Sequence, residues 1–165
     1  MALATAGDEG PSVRMVLFKG IDDGSFLFYS NYISHKGRDL AQDNRAAIVF
    51  YWFQSRHKVR VSGTVRRLSR SASLKYFRSR PRGAQLSALA SPQSRVVAAR
   101  NVLERAVEKL ATQHPDQVPL PPDWGGYALR PQWIEFWESR EDRLHDRLRY
   151  ARRREGGWRT ERLAP

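Results

Sequence analysis

The chain has 165 residues, enough for one domain with a packed core, and 41% apolar with 11% aromatic content excludes a disordered chain. Its 29 basic and 17 acidic side chains leave a formal charge of +12, which draws anions towards the surface but says nothing of fold. With no cysteine, disulfides, thiolate nucleophiles and cysteine metal sites are excluded, and redox chemistry requires a bound cofactor.

Val13, Met15 and Leu17 alternate with Arg14, Val16 and Phe18, which predicts a strand with one buried face ending at Lys19. Asp22-Asp23-Gly24 marks a turn, and Ser25 to Asn31 reads as the hairpin partner of that strand. Ala46 to Phe53 and Lys58 to Leu68 complete a set of four strands, expected to be antiparallel. Ser69 is placed to cap a helix running to about Ser79, which Pro81 stops. Arg100 to His114 carries Val102, Leu103, Ala106, Val107, Leu110 and Ala111 at helical spacing. Gly126 to Leu129, Trp133 to Trp137, Arg147 to Tyr150 and Trp158 to Leu163 read as further strands, the last two turning at Gly156-Gly157. Many strands with a few helices predict one domain over 1–165, built as a closed or partly closed barrel.

No apolar run approaches a membrane span, and Met1 to Gly7 lacks a basic start, so a cytoplasmic protein without a membrane segment is expected. Nucleotide-binding glycine motifs are absent. His35, His57, His114 and His145 are too dispersed for a local metal site, and none is expected.

Between Asp43 and Glu104 lie sixty residues without a carboxylate but with thirteen Lys or Arg. Such a run is stable when spread over solvent, paired with distant acids, or neutralised by a bound dianion. Arg56, Lys58 and Arg60 beside Tyr51, Trp52 and Phe53 hint at a nucleic-acid surface, but adjacent strand residues face alternate sides, so at least one aromatic is expected in the core and nucleic acid is disfavoured. Four clusters stand out: Arg14 and Lys19 bracketing the first strand; Ser34-His35-Lys36-Gly37-Arg38 at a helix start suited to a phosphate; Arg80-Pro81-Arg82-Gly83 about a fixed kink; and Arg143-Leu144-His145-Asp146-Arg147. In an extended conformation Arg143, His145 and Arg147 would share one face; the alternative is a charged loop laced with salt bridges.

These segments resemble the pyridoxine/pyridoxamine 5′-phosphate oxidase family. The resemblance rests on Arg14-Met15-Val16-Leu17-Phe18-Lys19, Phe28-Tyr29-Ser30-Asn31-Tyr32, Tyr76 through Gly83, Ala90 through Arg95, Trp124-Gly125-Gly126-Tyr127, Ile134-Glu135-Phe136-Trp137, Arg143 through Arg147 and the closing Trp158 to Pro165, in family order along nearly the whole chain. It implies a mainly β fold with peripheral helices, an antiparallel FMN-binding split β-barrel, as a homodimer with FMN at the subunit interface. It also implies hydride transfer from the C4′ carbon of pyridoxamine or pyridoxine 5′-phosphate to flavin N5, with oxygen as the final acceptor. Carried over by residue, the FMN side comprises Arg14, Met15, Val16, Leu17, Lys19, Tyr29, Ser30, His35, Lys36, Lys58, Gln93, Ser94, Trp137 and Arg147. The substrate side comprises Lys19, Tyr76, Arg80, Ala84, Arg143 and His145, with Arg143 and His145 in the catalytic role.

Several departures bear on substrate and cofactor. His35 stands where the family usually has Arg, Lys58 where it commonly has Gln, and Ala84 where it has Ser; Ser87 and Leu89 alter a common Gly-Ala-Trp sequence. The chain also begins almost at the first barrel strand, whereas family oxidases generally carry an N-terminal segment over the substrate. A related flavin oxidase acting on a phenazine-type ring and a non-catalytic FMN or pyridoxal-phosphate binding protein are therefore alternative functions.

Overall fold

The computed structural model describes all 165 residues. Nine strands alternate with four helices: β1 (Ala2–Gly7), β2 (Gly10–Met15), β3 (Ile21–Asp22), β4 (Ser25–Asn31), α1 (His35–Gln42), β5 (Arg45–Trp52), β6 (His57–Arg67), α2 (Arg70–Arg78), α3 (Arg82–Ala90), α4 (Arg100–Gln113), β7 (Trp124–Glu138), β8 (Asp146–Arg152) and β9 (Trp158–Arg162). The strands follow the order β2-β1-β5-β6-β7-β4-β3, with β8 added to β7 and β9 to β8. The path is open, its ends β2 and β3 not pairing with each other.

The chain divides into two compact units. The first comprises residues 1–28, 39–66 and 128–165 and holds most of the sheet. Leu3, Phe28, Ile48, Val61, Leu129 and Pro131 are among its fully buried apolar side chains. Here β5 and β6 pair from Arg45↔Thr64 to Trp52↔His57, and β7 pairs with β8 from Trp133↔Ala151 to Glu138↔Asp146. Gly63 lies where β6 comes closest to the chain at Arg130 and Pro131: a Cβ there would sit 2.8 Å from the Arg130 carbonyl carbon and 2.9 Å from Pro131 Cα. A side chain would push the two segments apart, which is why only glycine fits.

The second unit comprises residues 29–38 and 67–127. It is built on Phe77, Leu86, Val118 and Trp124, against which Tyr29, Tyr76, Leu89, Val107 and Leu110 pack. Ser69 caps α2 by accepting from the Ala72 amide, as its sequence position predicts, and α2 ends at Arg78. Pro81 does not only stop that helix; it opens α3, because a proline at a helix start forgoes an amide that has no intrahelical partner.

Several expectations are corrected. β2 pairs with β1, not with β4, whose hairpin partner is the short β3. The supposed buried face of the first strand is uncovered, since Val13, Met15 and Leu17 are 70–75% exposed. It is β1, with Leu3 and Thr5 pointing inward, that covers the interior at this edge. Tyr51, Trp52 and Phe53 are all exposed, because β5 ends at Trp52 and the chain turns with Arg56 at φ 53°. The two strand segments around Pro131 are one strand, β7.

Candidate flavin and phosphate site

The second unit gathers two of the predicted clusters. Ser34 is fully buried at the start of α1, where its hydroxyl donates to the Asn31 carbonyl and accepts from the Gly37 amide. Lys36, the second residue of the same helix, is buried and donates to Ser30 Oγ at 3.0 Å, Ser34 Oγ at 3.1 Å and Gln93 Oε1 at 3.2 Å. Ser30 in turn donates to Gln93 Oε1 at 3.1 Å. These three oxygens fix where the ammonium sits. His35 opens the helix beside it, and Ser94 follows Gln93 with φ 71°, an uncommon backbone state for a non-glycine residue.

The second cluster is a stack. Tyr29 from β4 lies on Tyr76 from α2 with centroids 3.8 Å apart, and Trp124 from β7 lies nearly parallel to both. Arg80, just past α2, sets its guanidinium 4.8 Å from the Trp124 centroid and 5.8 Å from that of Phe77. Its Nη1 is buried and has no hydrogen-bond partner. Burial pushes the Arg80 pKa below the ordinary guanidinium range, a direction that marks a cation taken out of water without full compensation. Ala84 lies nearby in sequence, in the first turn of α3, and brings no hydroxyl.

In the first unit, Arg14 is tied inward. Its guanidinium donates to the Leu3 and Ser12 carbonyls, to Ser12 Oγ, to Thr5 Oγ1 and to buried Asp39 at 3.4 Å. Met15, Val16 and Leu17 follow as an extended, largely exposed segment, with Val16 hydrogen-bonded to Met1. Lys19 lies four residues beyond the end of β2, which stops at Met15 and not at Lys19 as expected, and its amide donates to the Leu27 carbonyl.

Elsewhere in that unit Lys58 from β6 sets its ammonium 3.9 Å from the Trp137 ring centroid. Trp137 from β7 also meets the His145 ring at 4.5 Å. A cavity of about 320 Å³ is lined by Lys58, Trp137, Phe136, Leu148, His57, Glu138, Asp146 and Arg162. His145 Nδ1 accepts from the Arg140 amide at 3.2 Å, so the neutral ring carries its proton on Nε2. Arg147 is gripped by Glu135 through Nε at 2.9 Å and Nη2 at 3.2 Å, and donates from Nη1 to the Ala164 carbonyl at 2.9 Å.

Arg143, His145 and Arg147 do not share a strand face. Glu141–Arg143 form a short 3-10 turn in which Asp142 and Arg143 take φ 53° and 61°, and β8 begins only at Asp146. Arg143 therefore stands out on a turn held in the left-handed region, with no hydrogen bond or ion pair to its guanidinium. Backbone of this kind persists where surrounding structure over-determines it, and such positions cluster at functional sites.

Ser34, Trp124 and Glu135 fall inside sequence segments named above, yet no motif marks them individually as site residues. Trp133, Glu135 and Trp137 occupy one face of β7 by alternation, and a carboxylate between two aromatics signals a buried acid in need of cationic partners. The carboxylate-free run is also explained. Arg70 donates to the carbonyls of Leu120, Pro121, Pro122 and Trp124, Arg82 to those of Ala111 and His114, and Arg67 lies over Tyr32.

Residues 1–114 match the family model of pyridoxamine 5′-phosphate oxidase, and residues 124–165 match the C-terminal dimerisation region of pyridoxine 5′-phosphate oxidase. The chain belongs to the pyridoxamine 5′-phosphate oxidase family. Relatives in this oxidoreductase family include the pyridoxine/pyridoxamine 5′-phosphate oxidase of Salinibacter ruber, 52% identical over all of this chain and 79% of that protein. The namesake of a Nocardioides species is 50% identical over all of this chain and 78% of its own length. Among solved structures, PhzG of Burkholderia lata, in complex with tetrahydrophenazine-1-carboxylic acid, superposes with a TM-score of 0.92 at 34% identity, covering 99% of this chain and 81% of its own. An FMN-binding protein related to the family, from Nostoc punctiforme, shares the fold at TM-score 0.80 and 21% identity, covering 99% of this chain and 87% of its own. The open, mainly antiparallel sheet with four helices is thus the family's split barrel.

Proposed function

We propose that the chain binds FMN and oxidises pyridoxamine or pyridoxine 5′-phosphate to pyridoxal 5′-phosphate, with oxygen as acceptor. The observation that carries the substrate reading is Arg80: a half-buried guanidinium, stacked on Trp124 beside Tyr76, with a buried and unpartnered Nη1. A phosphate oxygen supplies the missing acceptor and the compensating charge at once. Lys19 adds a second cation on the substrate side.

The donor set fits FMN. Lys36, Ser30, Gln93 and Ser94, with His35, would hold its phosphate and ribityl chain. Lys58, Trp137 and Arg147, with the segment from Arg14 to Leu17, would line its ring. Arg14 reaches FMN only through whatever donor capacity its inward hydrogen bonds leave. When bound, FMN supplies a two-electron acceptor that oxygen regenerates. The protein's share is orientation: His145, with its proton on Nε2, donates to the substrate's ring oxygen, and Arg143 covers the substrate and stabilises developing charge. A homodimer is supported by the matched dimerisation region and by the exposed apolar residues Val13, Met15, Leu17, Tyr51, Trp52 and Phe53. No helix is long and apolar enough to cross a membrane, and a cytoplasmic location is part of this proposal.

The second reading, oxidation of a phenazine-type ring, is favoured by the likeness to PhzG and by Ala84, which removes a hydroxyl from the substrate side. Anaerobic mixing of the FMN-loaded protein with pyridoxamine phosphate separates the readings. Bleaching of the flavin band supports the oxidase, whereas a stable oxidised spectrum with substrate bound supports a carrier. Bleaching only by a reduced phenazine carboxylate supports the second reading.

A further inference from the structure

Glu135 is 2% exposed in the middle of β7, yet it carries a charge. Its two oxygens serve guanidinium groups from both neighbouring strands: Arg147 of β8 by the two-point contact, and Arg60 of β6 by a single contact at 3.3 Å. An acid this deep is tolerated only when paired, so the salt bridge alone has a purely structural explanation.

The fastening of Arg147 goes further. Its Nη1 is anchored to the Ala164 carbonyl, and the Leu163 amide donates to the Arg147 carbonyl at 2.9 Å. A guanidinium has five N–H groups; three are spent here, which leaves one on each Nη directed by a fork that cannot rotate. Glu135 also holds Arg147 above the ordinary guanidinium pKa range through its hydrogen bond. As a point charge, however, the carboxylate works against anion binding by Arg147. Charge and geometry therefore predict opposite effects.

We infer that Glu135 is a positioning residue for the flavin contact of Arg147, acting by fixing the orientation of the guanidinium and not by its charge. The inference rests on the reading that places Arg147 on the FMN side.

FMN dissociation constants, measured by quenching of flavin fluorescence, test it in four variants beside the wild type, with the melting temperature of each apoprotein recorded. Glu135→Gln drops the charge and replaces one of the two acceptor oxygens by an NH2 that cannot accept from Arg147, so the two-point grip is lost; Glu135→Asp keeps the charge and draws the fork back by one methylene. Both weaken FMN roughly tenfold, and in an Arg147→Ala background the effect of Glu135→Gln shrinks to within about twofold, the coupling expected of groups in direct contact. Wild-type affinity in Glu135→Asp, tighter binding in Glu135→Gln, or equal weakening with and without Arg147 overturns the inference. If Arg147→Ala weakens FMN while both Glu135 variants are silent, only the positioning role falls. If Arg147→Ala itself is silent, the assignment of Arg147 to the cofactor falls with it.

Discussion

Arg80 sits in the second unit with its charge desolvated and one nitrogen unanswered, a state that costs the free protein stability and is relieved by an anion. Arg80→Met keeps the packing on Trp124 and Phe77 and removes the stranded donor. Its apoprotein is expected to melt no lower than the wild type, while KM for pyridoxamine 5′-phosphate rises roughly tenfold or more, the loss of a charge-assisted hydrogen bond. A lower melting temperature with unchanged KM would assign Arg80 to the core alone. Arg143 is the opposite case, an exposed cation with nothing to hold it. Arg143→Ala should lower kcat while the FMN dissociation constant stays within about twofold, because its contribution is to the reacting substrate. Motifs offer such residues as candidates, but the surroundings in which each side chain sits were not legible from them. Arg14 reads as a cation beside an anion site, yet its guanidinium is spent on Asp39, Thr5 and Ser12, because Asp39 arrives from α1, 25 residues away. Glu135 shows the reverse: an acid quoted only as part of a motif, with no role read for it, holds two arginines.

At the scale of the element, the close approach at Gly63 sets how tightly β6 lies against the chain at Arg130 and Pro131. Gly63→Ala should cost about 2–3 kcal/mol by overpacking, read as a melting temperature roughly 5–10 °C lower. The β8–β9 hairpin is held by ion pairs: Asp146 with Arg140 and Arg162, which are exposed, and Glu161 with Arg149 and Arg159, of which the Arg149 pair is part-buried. Hydrogen bonds from Arg140 and Arg149 hold the Asp146 and Glu161 carboxyls below their usual range. In the first unit Arg45 lowers Asp43 to about 2. A depressed carboxylate binds fewer protons folded than unfolded, so its stabilisation is complete above about pH 4 and is lost as pH falls through the folded value. Melting temperature should thus be flat from pH 6 to about 5 and drop between pH 4 and 2, with the drop reduced in Asp43→Asn. Elements with strong alternation or a cap were legible: β4 matches its predicted bounds, and α2 begins after the Ser69 cap. β1 was not, because Ala2, Ala4 and Ala6 give no apolar contrast beside Leu3 and Thr5. α3 was hidden by Pro81, which reads as a stop when only the preceding helix is in view.

Over the whole molecule the charge of +12 is met unevenly. Many arginines find carbonyls or aromatic faces instead of carboxylates, which satisfies their hydrogen bonds but leaves their charge uncancelled. The exposed ion pairs are worth little each, so long-range repulsion should dominate the response to salt. Raising sodium chloride from about 10 to 150 mM shortens the screening length from roughly 30 to 8 Å and should raise the melting temperature of the apoprotein. Sodium phosphate at matched ionic strength separates general repulsion from built anion sites, since a bound dianion stabilises the folded form beyond screening. The increment in phosphate should exceed that in chloride, and Arg80→Met should remove part of the excess without changing the chloride response. Equal increments in the two salts would mean that the basic side chains act only as a diffuse field; an excess untouched by Arg80→Met would move the phosphate from the stack of Tyr76 and Trp124 to the Lys36 cluster.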